Sequence, residues 1–309
     1  MRHSTTFLMS LIVASILVLM FLNLVLGSVS IPLKSVWNII CGLGDEPVTW
    51  QNIVWKSRLP QALTALVAGA GLAISGLQMQ TVFRNPLAGP SVLGISSGAS
   101  MGVAFVVLLS GSLGGVALSK LGFMGEIALS IAAVIGSLSV MALIVYVSQK
   151  VKGNVTLLII GVMIGYVANA VIGVLKFFSV EEDIRAYVIW GLGSFSRVSG
   201  NQMMLFVAIM AILIPLSFLL IKTLNLMLLG DGYARNLGLN IKRARLLVIT
   251  SAGVLTAIVT AYCGPVIFLG LAVPHLCRAI FQTSDHRVLM PAVLFAGCLL
   301  YTSPSPRDR

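Results

Sequence analysis

The residues best suited to chemistry in this 309-residue sequence lie near its C-terminal end: His275, Cys277 and His286. Imidazole and thiolate groups are the usual ligands of zinc and iron. His275 and Cys277 are only two residues apart, however, and at that spacing their side chains point to different faces of a helix. The four cysteines also lack the paired spacing of a disulfide framework. We therefore predict no metal site, no resident cofactor and no disulfide.

Nucleotide chemistry is not predicted either. The segment closest to a phosphate-binding loop is "GVALSK", Gly115–Lys120, and it lacks the glycine that must precede the lysine of that motif. The net charge is +11, but no stretch interleaves basic and aromatic residues in the manner of a nucleic-acid surface. The sequence thus predicts neither an ATPase nor a partner for nucleic acid.

Composition indicates a membrane protein. The chain is 58% hydrophobic and 9% charged, whereas a soluble domain carries about 25% charged residues. An all-α, polytopic fold is predicted, because lipid offers no hydrogen-bond partner to an open strand and about 20 apolar residues span a bilayer as a helix. The predicted spans, within one domain over 1–301, are 7–26, 60–82, 91–110, 126–148, 154–177, 203–221, 246–262, 264–281 and a partial span at 288–301.

Charge predicts the orientation of these spans. If the N-terminus is cytoplasmic, the inside segments hold 11 basic and two acidic residues, and the outside segments hold seven and six. This asymmetry follows the positive-inside rule. The nine acidic residues all lie in loops, at span ends or in the tail, whereas ion-coupled carriers usually keep an ionisable group near the bilayer centre. A partner is therefore expected to supply the energy, with an ion-coupled secondary transporter as the less favoured alternative.

The segment "RNPLAGPSVLGISSGASMG", Arg84–Gly102, predicts a tight turn between two closely packed helices. Its two prolines push the preceding residues out of helical geometry, and Ser91 can cap the second helix. Glycines four residues apart would share one face, which lets another helix approach. The residues assigned to this turn and packing face are Arg84, Asn85, Pro86, Gly94, Gly98 and Gly102.

Four ordered blocks of sequence resemble a known family. They are Arg58–Ser100, "WGLGSFS" at 190–196, "LLGDGYARNLGLN" at 228–240 and "GPVIFLGLAVPHLCR" at 264–278. Together they resemble the FecCD family of bacterial ATP-binding-cassette permeases, which import iron–siderophores, haem and vitamin B12, and the resemblance covers roughly residues 1–297. It implies a ten-helix subunit that pairs with a second permease subunit, two cytoplasmic ATPase subunits and a soluble or lipid-anchored binding protein.

The block at 228–240 is predicted to form a short helix on the cytoplasmic side. Asp231 can cap this helix, Gly238 can end it in a left-handed conformation, and Asn240 can cap the next helix. The resemblance implies that this loop docks onto the ATPase, whereas an ordinary capped surface loop is the alternative. The residues assigned to coupling are Gly230, Asp231, Tyr233, Ala234, Arg235, Leu237 and Gly238.

Two further assignments concern the outer surface and the pathway. The resemblance implies that Arg58, at the mouth of the second span, contacts the binding protein, although a headgroup anchor would explain it as well. Gly161, Gly165, Asn169 and Gly173 share one stripe of the fifth span. The resemblance implies that the fifth helix borders the translocation route, so we predict that this stripe lines the pathway, with contact to a neighbouring helix as the alternative.

The predicted function is a permease subunit, without enzymatic activity, in the bacterial cytoplasmic (inner) membrane. The resemblance implies an iron chelate as the cargo, a ferric siderophore first, with haem and vitamin B12 as alternatives. The last predicted span holds only about 14 apolar residues before "TSPSPRDR", fewer than the roughly 20 that a bilayer needs. We therefore expect that the fold is truncated within its ninth helix and that 302–309 is a non-native tail.

Overall fold

The computed structural model describes residues 2–27, 29–43, 46–112, 123–151, 154–198 and 200–302. Every regular element in these ranges is helical, and none of the described residues forms a strand. The α-helices are α1 (Arg2–Val25), α2 (Leu33–Cys41), α3 (Val48–Ile53), α4 (Leu59–Phe83), α5 (Ile95–Ser112), α6 (Phe123–Lys150), α7 (Asn154–Phe177), α8 (Glu181–Gly191), α9 (Gly200–Phe218), α10 (Ile221–Leu228), α11 (Asp231–Asn236), α12 (Ile241–Cys263), α13 (Leu269–Phe281) and α14 (His286–Thr302).

Six helical stretches are long and apolar enough to cross a membrane, and three shorter ones are apolar. The long stretches are α1, the continuous run from α3 through α4, α6, α7, α9 and α12; the shorter ones are α5, α13 and α14. Each overlaps one predicted span. The helix of the eighth predicted span is α13. It starts at Leu269 and not at 264, because Gly264 has a left-handed φ of 81° and Pro265 follows it. Of the predicted tail, only Thr302 belongs to the described residues, as the end of α14.

The centre of the fold is α4. All its residues from Ala68 to Phe83 are buried, and it packs against α9, α12, α13 and α14. Small residues make these contacts close: a Cβ on Gly76 would lie 1.6 Å from the carbonyl oxygen of Gly270 in α13, and one on Gly297 of α14 would lie 2.4 Å from that of Gly69. Such close approach lets dispersion forces hold helices together in lipid.

The turn after α4 is tight, as predicted, but its capping differs. Arg84 ends α4 in a left-handed conformation, and Asn85 accepts a hydrogen bond from the Leu87 N–H. A short 3₁₀ helix, Pro90–Leu93, follows with Gly89 at its N-cap, so the prediction that Ser91 caps a helix is wrong. Proline without an N–H is well suited to that first helical position.

The predicted glycine face is divided between two neighbours. Gly94 precedes α5 with a φ of 73°, and a Cβ there would meet the Gly161 carbonyl of α7. Gly98 and Gly102 lie within α5 and face Gly136 and Ala132 of α6. Gly94 therefore does not continue the helix face, because its left-handed backbone turns the chain just before the helix starts. The packing role of all three glycines nonetheless fits these contacts.

Candidate functional site

A short helical projection stands between α10 and α12, and we call residues 230–238 the knob. Gly230 begins it with a φ of 97°, and Gly238 ends it with a φ of 86°, as predicted for that residue. The Gly238 N–H donates to the Arg235 carbonyl, and the Leu239 N–H donates to the Ala234 carbonyl. These bonds close the end of α11 and make the knob a rigid unit.

The start of α12 follows at once and is capped as predicted. The Asn240 side chain accepts a hydrogen bond from the Arg243 N–H at 3.1 Å. This bond satisfies one of the backbone donors that the first turn of a helix leaves without a partner. The knob is thus joined directly to α12, whose residues from Val248 to Cys263 are largely buried in the core.

Asp231 does not cap the knob helix, in contrast to the prediction. Gly230 occupies the N-cap, and Asp231 is the first residue of α11. The Asp231 carboxylate is instead ion-paired with Arg84, and Arg245 of α12 lies 3.8 Å away from its second oxygen. Because Arg84 is the C-cap of α4, these pairs tie the knob to the central helix and to α12.

The outer surface of the knob is apolar. The Tyr233 and Leu237 side chains are 73% and 61% exposed, whereas Ala234 between them is fully buried against the protein. Tyr233 and Leu237 are four residues apart, so the two exposed side chains lie on one face of the knob helix. The exposed Arg235 beside them adds a positive charge to this surface.

A hydrogen-bond network fixes α10, the helix that leads into the knob. The ring nitrogens of buried His286 lie 2.8 Å from the Thr81 hydroxyl of α4 and 2.8 Å from the Asn225 side-chain oxygen of α10. The Asn225 amide also donates to Asp285. Hydrogen bonds from the Arg287 N–H and from Asn225 lower the pKa of Asp285. Sequence reasoning missed this network, whose only local signal is the "DHR" at 285–287.

The cluster of histidine and cysteine considered from sequence does not come together. His286 is buried in the network just described, Cys277 is buried in α13, and His275 is exposed. Among the described residues, no three histidine, cysteine or acidic side chains are placed to hold a metal ion.

Comparison with known proteins now identifies the fold. The model of the FecCD transport family matches residues 15–304. The chain belongs to the FecCD transport family. It is 34% identical over 281 residues to the hemin transport system permease protein HmuU of Yersinia pestis, covering 90% of this chain and 80% of that protein.

Other relatives agree with this assignment. The FecCD chain is 35% identical over 247 residues to the vitamin B12 import system permease protein BtuC of Klebsiella pneumoniae, covering 80% of this chain and 71% of the relative. A solved metal-chelate type ABC transporter in an inward-facing conformation superposes with a TM-score of 0.81 at 26% identity, over 96% of this chain and 88% of that one. The predicted family and permease fold are confirmed: the protein is a multi-pass permease subunit of an ABC importer.

The four blocks that carry the FecCD resemblance meet in two pairs. At one end, Arg84 of the first block is ion-paired with Asp231 of the third. At the other end, the Ser194 N–H of the second block donates to the Cys263 carbonyl next to the fourth, at 2.8 Å. A Cβ on Gly264 there would lie 2.8 Å from Gly193. The family's sequence blocks thus mark the two ends of one helical bundle.

The structure places Arg58 differently from its predicted setting. Its side chain is only 7% exposed, and its guanidinium donates to the Leu24 and Val25 carbonyls at 2.8 and 2.9 Å and to the Val29 carbonyl. These oxygens lie at and just after the end of α1, so Arg58 satisfies the carbonyls that a helix terminus leaves open. A buried side chain with three partners is neither a rim contact for a binding protein nor a headgroup anchor.

The predicted pathway stripe on α7 is divided along its length. Gly161 packs against the backbone of Val92 and Leu93, and Gly165 faces Ser97 of α5. Asn169 and Gly173 lie on the exposed surface, and a Cβ on Gly173 would meet no atom within 4 Å. Helix packing therefore explains the first two residues of the stripe, while the other two face away from the chain.

Proposed function

We propose that this FecCD permease carries an iron chelate, a ferric siderophore first of all, from a binding protein outside the bacterial inner membrane into the cytoplasm. It would work with a second permease subunit, either identical or closely related, and with two cytoplasmic ATPase subunits. The observation that carries the ATPase-driven part of this proposal is the knob at 230–238, a projection with an exposed apolar surface that is tied to two core helices.

The knob is our proposed contact for the ATPase. Tyr233 is a large, exposed side chain of the type that dominates protein interfaces when it is buried by a partner. A force on it would reach α4 through the ion pair between Asp231 and Arg84, and it would reach α12 through Arg245. Such a contact can drive transport only if the helices behind it switch between two arrangements. We propose α4 and α12 for this role, because they are the most deeply buried helices of the long spans.

A cytoplasmic N-terminus is consistent with the ion pair at the knob. From that terminus, α1 and α4 are the first two crossings, and α5, α6, α7 and α9 are the next four. Arg84 follows the second crossing and Asp231 follows the sixth, so both come to lie on the same side as the N-terminus. Their contact agrees with this even number of crossings in either orientation, and the basic residues around it favour the cytoplasmic side.

Asn169 and Gly173 are our proposed contribution to the pathway. They lie on an exposed face of α7, where a second subunit could enclose a conduit between the two chains. A small residue and an uncharged amide suit a pathway that must release a bulky polar chelate. Gly161 and Gly165, by contrast, are proposed only as the close contact that holds α7 against α5.

Haem is the second candidate cargo, because the haemin permease HmuU is 34% identical over 90% of the chain. Vitamin B12 is the third, because of the similar permease BtuC. Iron in either iron chelate would travel inside its organic ligand, so transport would need no protein ligand for the metal.

Growth of a bacterial strain that lacks its own permease tests the cargo. The strain would carry this chain with the ATPase and binding protein of the same transport system, and receive a ferric siderophore, haem or vitamin B12 as the sole source of the limiting nutrient. The proposal expects growth on a ferric siderophore, and growth on haem or vitamin B12 alone would replace that cargo with the alternative. Growth on none of the three, with the chain present in the membrane, would contradict the proposed class of substrate.

A further inference from the structure

A cavity of about 600 Å³ opens beside the knob, between the C-terminal end of α6 and the N-terminal end of α12. Its described lining includes one acidic side chain, Asp231, which is already ion-paired with Arg84 outside the cavity. The lining is otherwise basic or neutral, and its cationic members are Lys150, Arg235, Lys242 and Arg245. The cavity is therefore a positively charged site of a size that suits a small anionic group.

One nitrogen among these cations, the Nε of Arg245, has no hydrogen-bond acceptor. Arg245 is 12% exposed, and its Nε is buried with no hydrogen-bond partner. Its contact with Asp231, at 3.8 Å, involves a different nitrogen. A buried donor without an acceptor is unfavourable, and a ligand with oxygen acceptors would satisfy it if the Arg245 side chain turned toward the cavity that it lines. The Gln149 and Asn240 side chains add polar groups to the lining.

The wall formed by α6 places the cavity at the level of lipid headgroups. On the last turns of that helix, Leu143 and Tyr146 are 46% and 55% exposed. The Lys150 ammonium group donates to the Tyr146 hydroxyl at 2.6 Å and lies 4.5 Å from the centre of its ring. Tyrosine and lysine at the end of an apolar helix are typical of the membrane–water interface.

We propose that this cavity binds the phosphate of an anionic phospholipid headgroup. Basic pockets between helix ends on the cytoplasmic side of a membrane have the charge and the position to bind such headgroups. The phosphate oxygens would accept hydrogen bonds from Arg245 and Lys242, and the acyl chains would lie along the exposed apolar side of α6. The inference rests on the proposed cytoplasmic position of the knob, but it does not depend on the ATPase contact or on the cargo.

Native mass spectrometry of the purified 309-residue chain tests this site with phosphatidylglycerol and phosphatidylcholine as probes. The test variant combines Lys150→Gln and Lys242→Gln. Arg243→Gln is the matched control, because Arg243 is exposed on the same turn of α12 and does not line the cavity. We expect wild type and control to retain phosphatidylglycerol in preference to phosphatidylcholine. Retention should fall roughly fivefold for each charge removed, and each single substitution gives that result if the double variant does not fold.

Results of three kinds would overturn the proposal. The first is equal retention of both lipids by the wild type, or unchanged retention of phosphatidylglycerol by the double variant. The second is displacement of the lipid by inorganic phosphate at an equal concentration, which would make the cavity a site for a free anion. The third is unchanged lipid retention together with weaker binding of the ATPase, which would assign the cavity to that protein. Because the lipid assay uses the permease alone, its failure is distinct from a failure of the transport function.

Discussion

The substitution Gly76→Ala should be among the most damaging single-methyl additions in this protein. Gly76 lies on α4 where that helix crosses α13. A Cβ at this position would stand 1.6 Å from the Gly270 carbonyl oxygen, 2.5 Å from its carbonyl carbon and 2.9 Å from its Cα. All three atoms belong to backbone, so no side chain can rotate away and the helices themselves must separate.

The size of the effect follows from that distance. Ordinary contact begins near 3.4 Å, so the two backbones would have to move apart by about 1.8 Å, the difference between 3.4 and 1.6 Å. Gly270 cannot retreat freely, because it also packs against the side chain of Pro90, which lies outside α4. Overpacking of a core costs about 1–3 kcal/mol and occasionally more, and a contact between two backbones belongs at or above the top of that range. We therefore expect a loss of about 3 kcal/mol or more in the free energy of unfolding.

Thermal and denaturant unfolding of the purified protein in detergent measures this loss. Gly173→Ala is the matched control, because it adds the same methyl group to a long apolar helix where no atom lies within 4 Å. The control should be neutral or more stable by up to about 1 kcal/mol, since alanine has the higher helix propensity. A Gly76→Ala protein as stable as the wild type would refute the close crossing of α4 and α13.

Three further predictions concern charged residues. Asp231→Asn should change stability by less than about 1 kcal/mol, because its partly exposed ion pair with Arg84 is weak. ATP-driven uptake should nevertheless fall several-fold with ATPase binding retained, and unchanged uptake would contradict the proposed role of this ion pair. Arg58→Ala should destabilise the protein by about 2–4 kcal/mol, because three carbonyls lose their donor, and denaturant unfolding with no loss would refute the helix-end role. The pKa of Asp285 is lowered in the folded protein, so the carboxylate stabilises the fold above the usual pKa of 3.8, and this stabilisation is lost as pH falls through the lower folded value. The difference in stability between wild type and Asp285→Asn should therefore disappear only in strong acid. A difference that disappears near pH 7 would contradict this.

The membrane helices could be predicted because the bilayer sets their length. Apolar runs, about 20 residues long except for the shorter last one, located the nine apolar helices of the described residues. The family's blocks pointed to the knob. Short helices were missed for the same reason. The helices α2 and α8 are too short and too polar to cross lipid, although the acidic first turn of α8, which includes Glu181 and Glu182, is a recognised signal for a helix start.

The contacts that could not be predicted join residues far apart in the chain. The local sequence predicts that Asp231 caps a helix, but its ion-pair partner Arg84 lies 147 positions away. Its position in the sequence predicts that Arg58 lies at the surface, but its hydrogen-bond acceptors are backbone carbonyls at the end of a helix about 30 residues earlier. Gly94 fits a four-residue spacing by sequence, while its left-handed backbone depends on the turn around it. Backbone acceptors leave no mark in residue type, and a glycine shows only that a positive φ is allowed.

ATP-dependent uptake in proteoliposomes tests the central claim most directly, namely that a separate ATPase drives this permease through the knob. The chain would be reconstituted with its ATPase and binding protein, as wild type, as the double variant Tyr233→Ala/Leu237→Ala and as the control Leu219→Ala, another exposed apolar residue outside the knob. The account predicts uptake by wild type and control only with ATPase and ATP, and loss of uptake and of ATPase binding in a normally folded double variant. Uptake driven by an ion gradient without the ATPase, or full activity of the double variant, would contradict it.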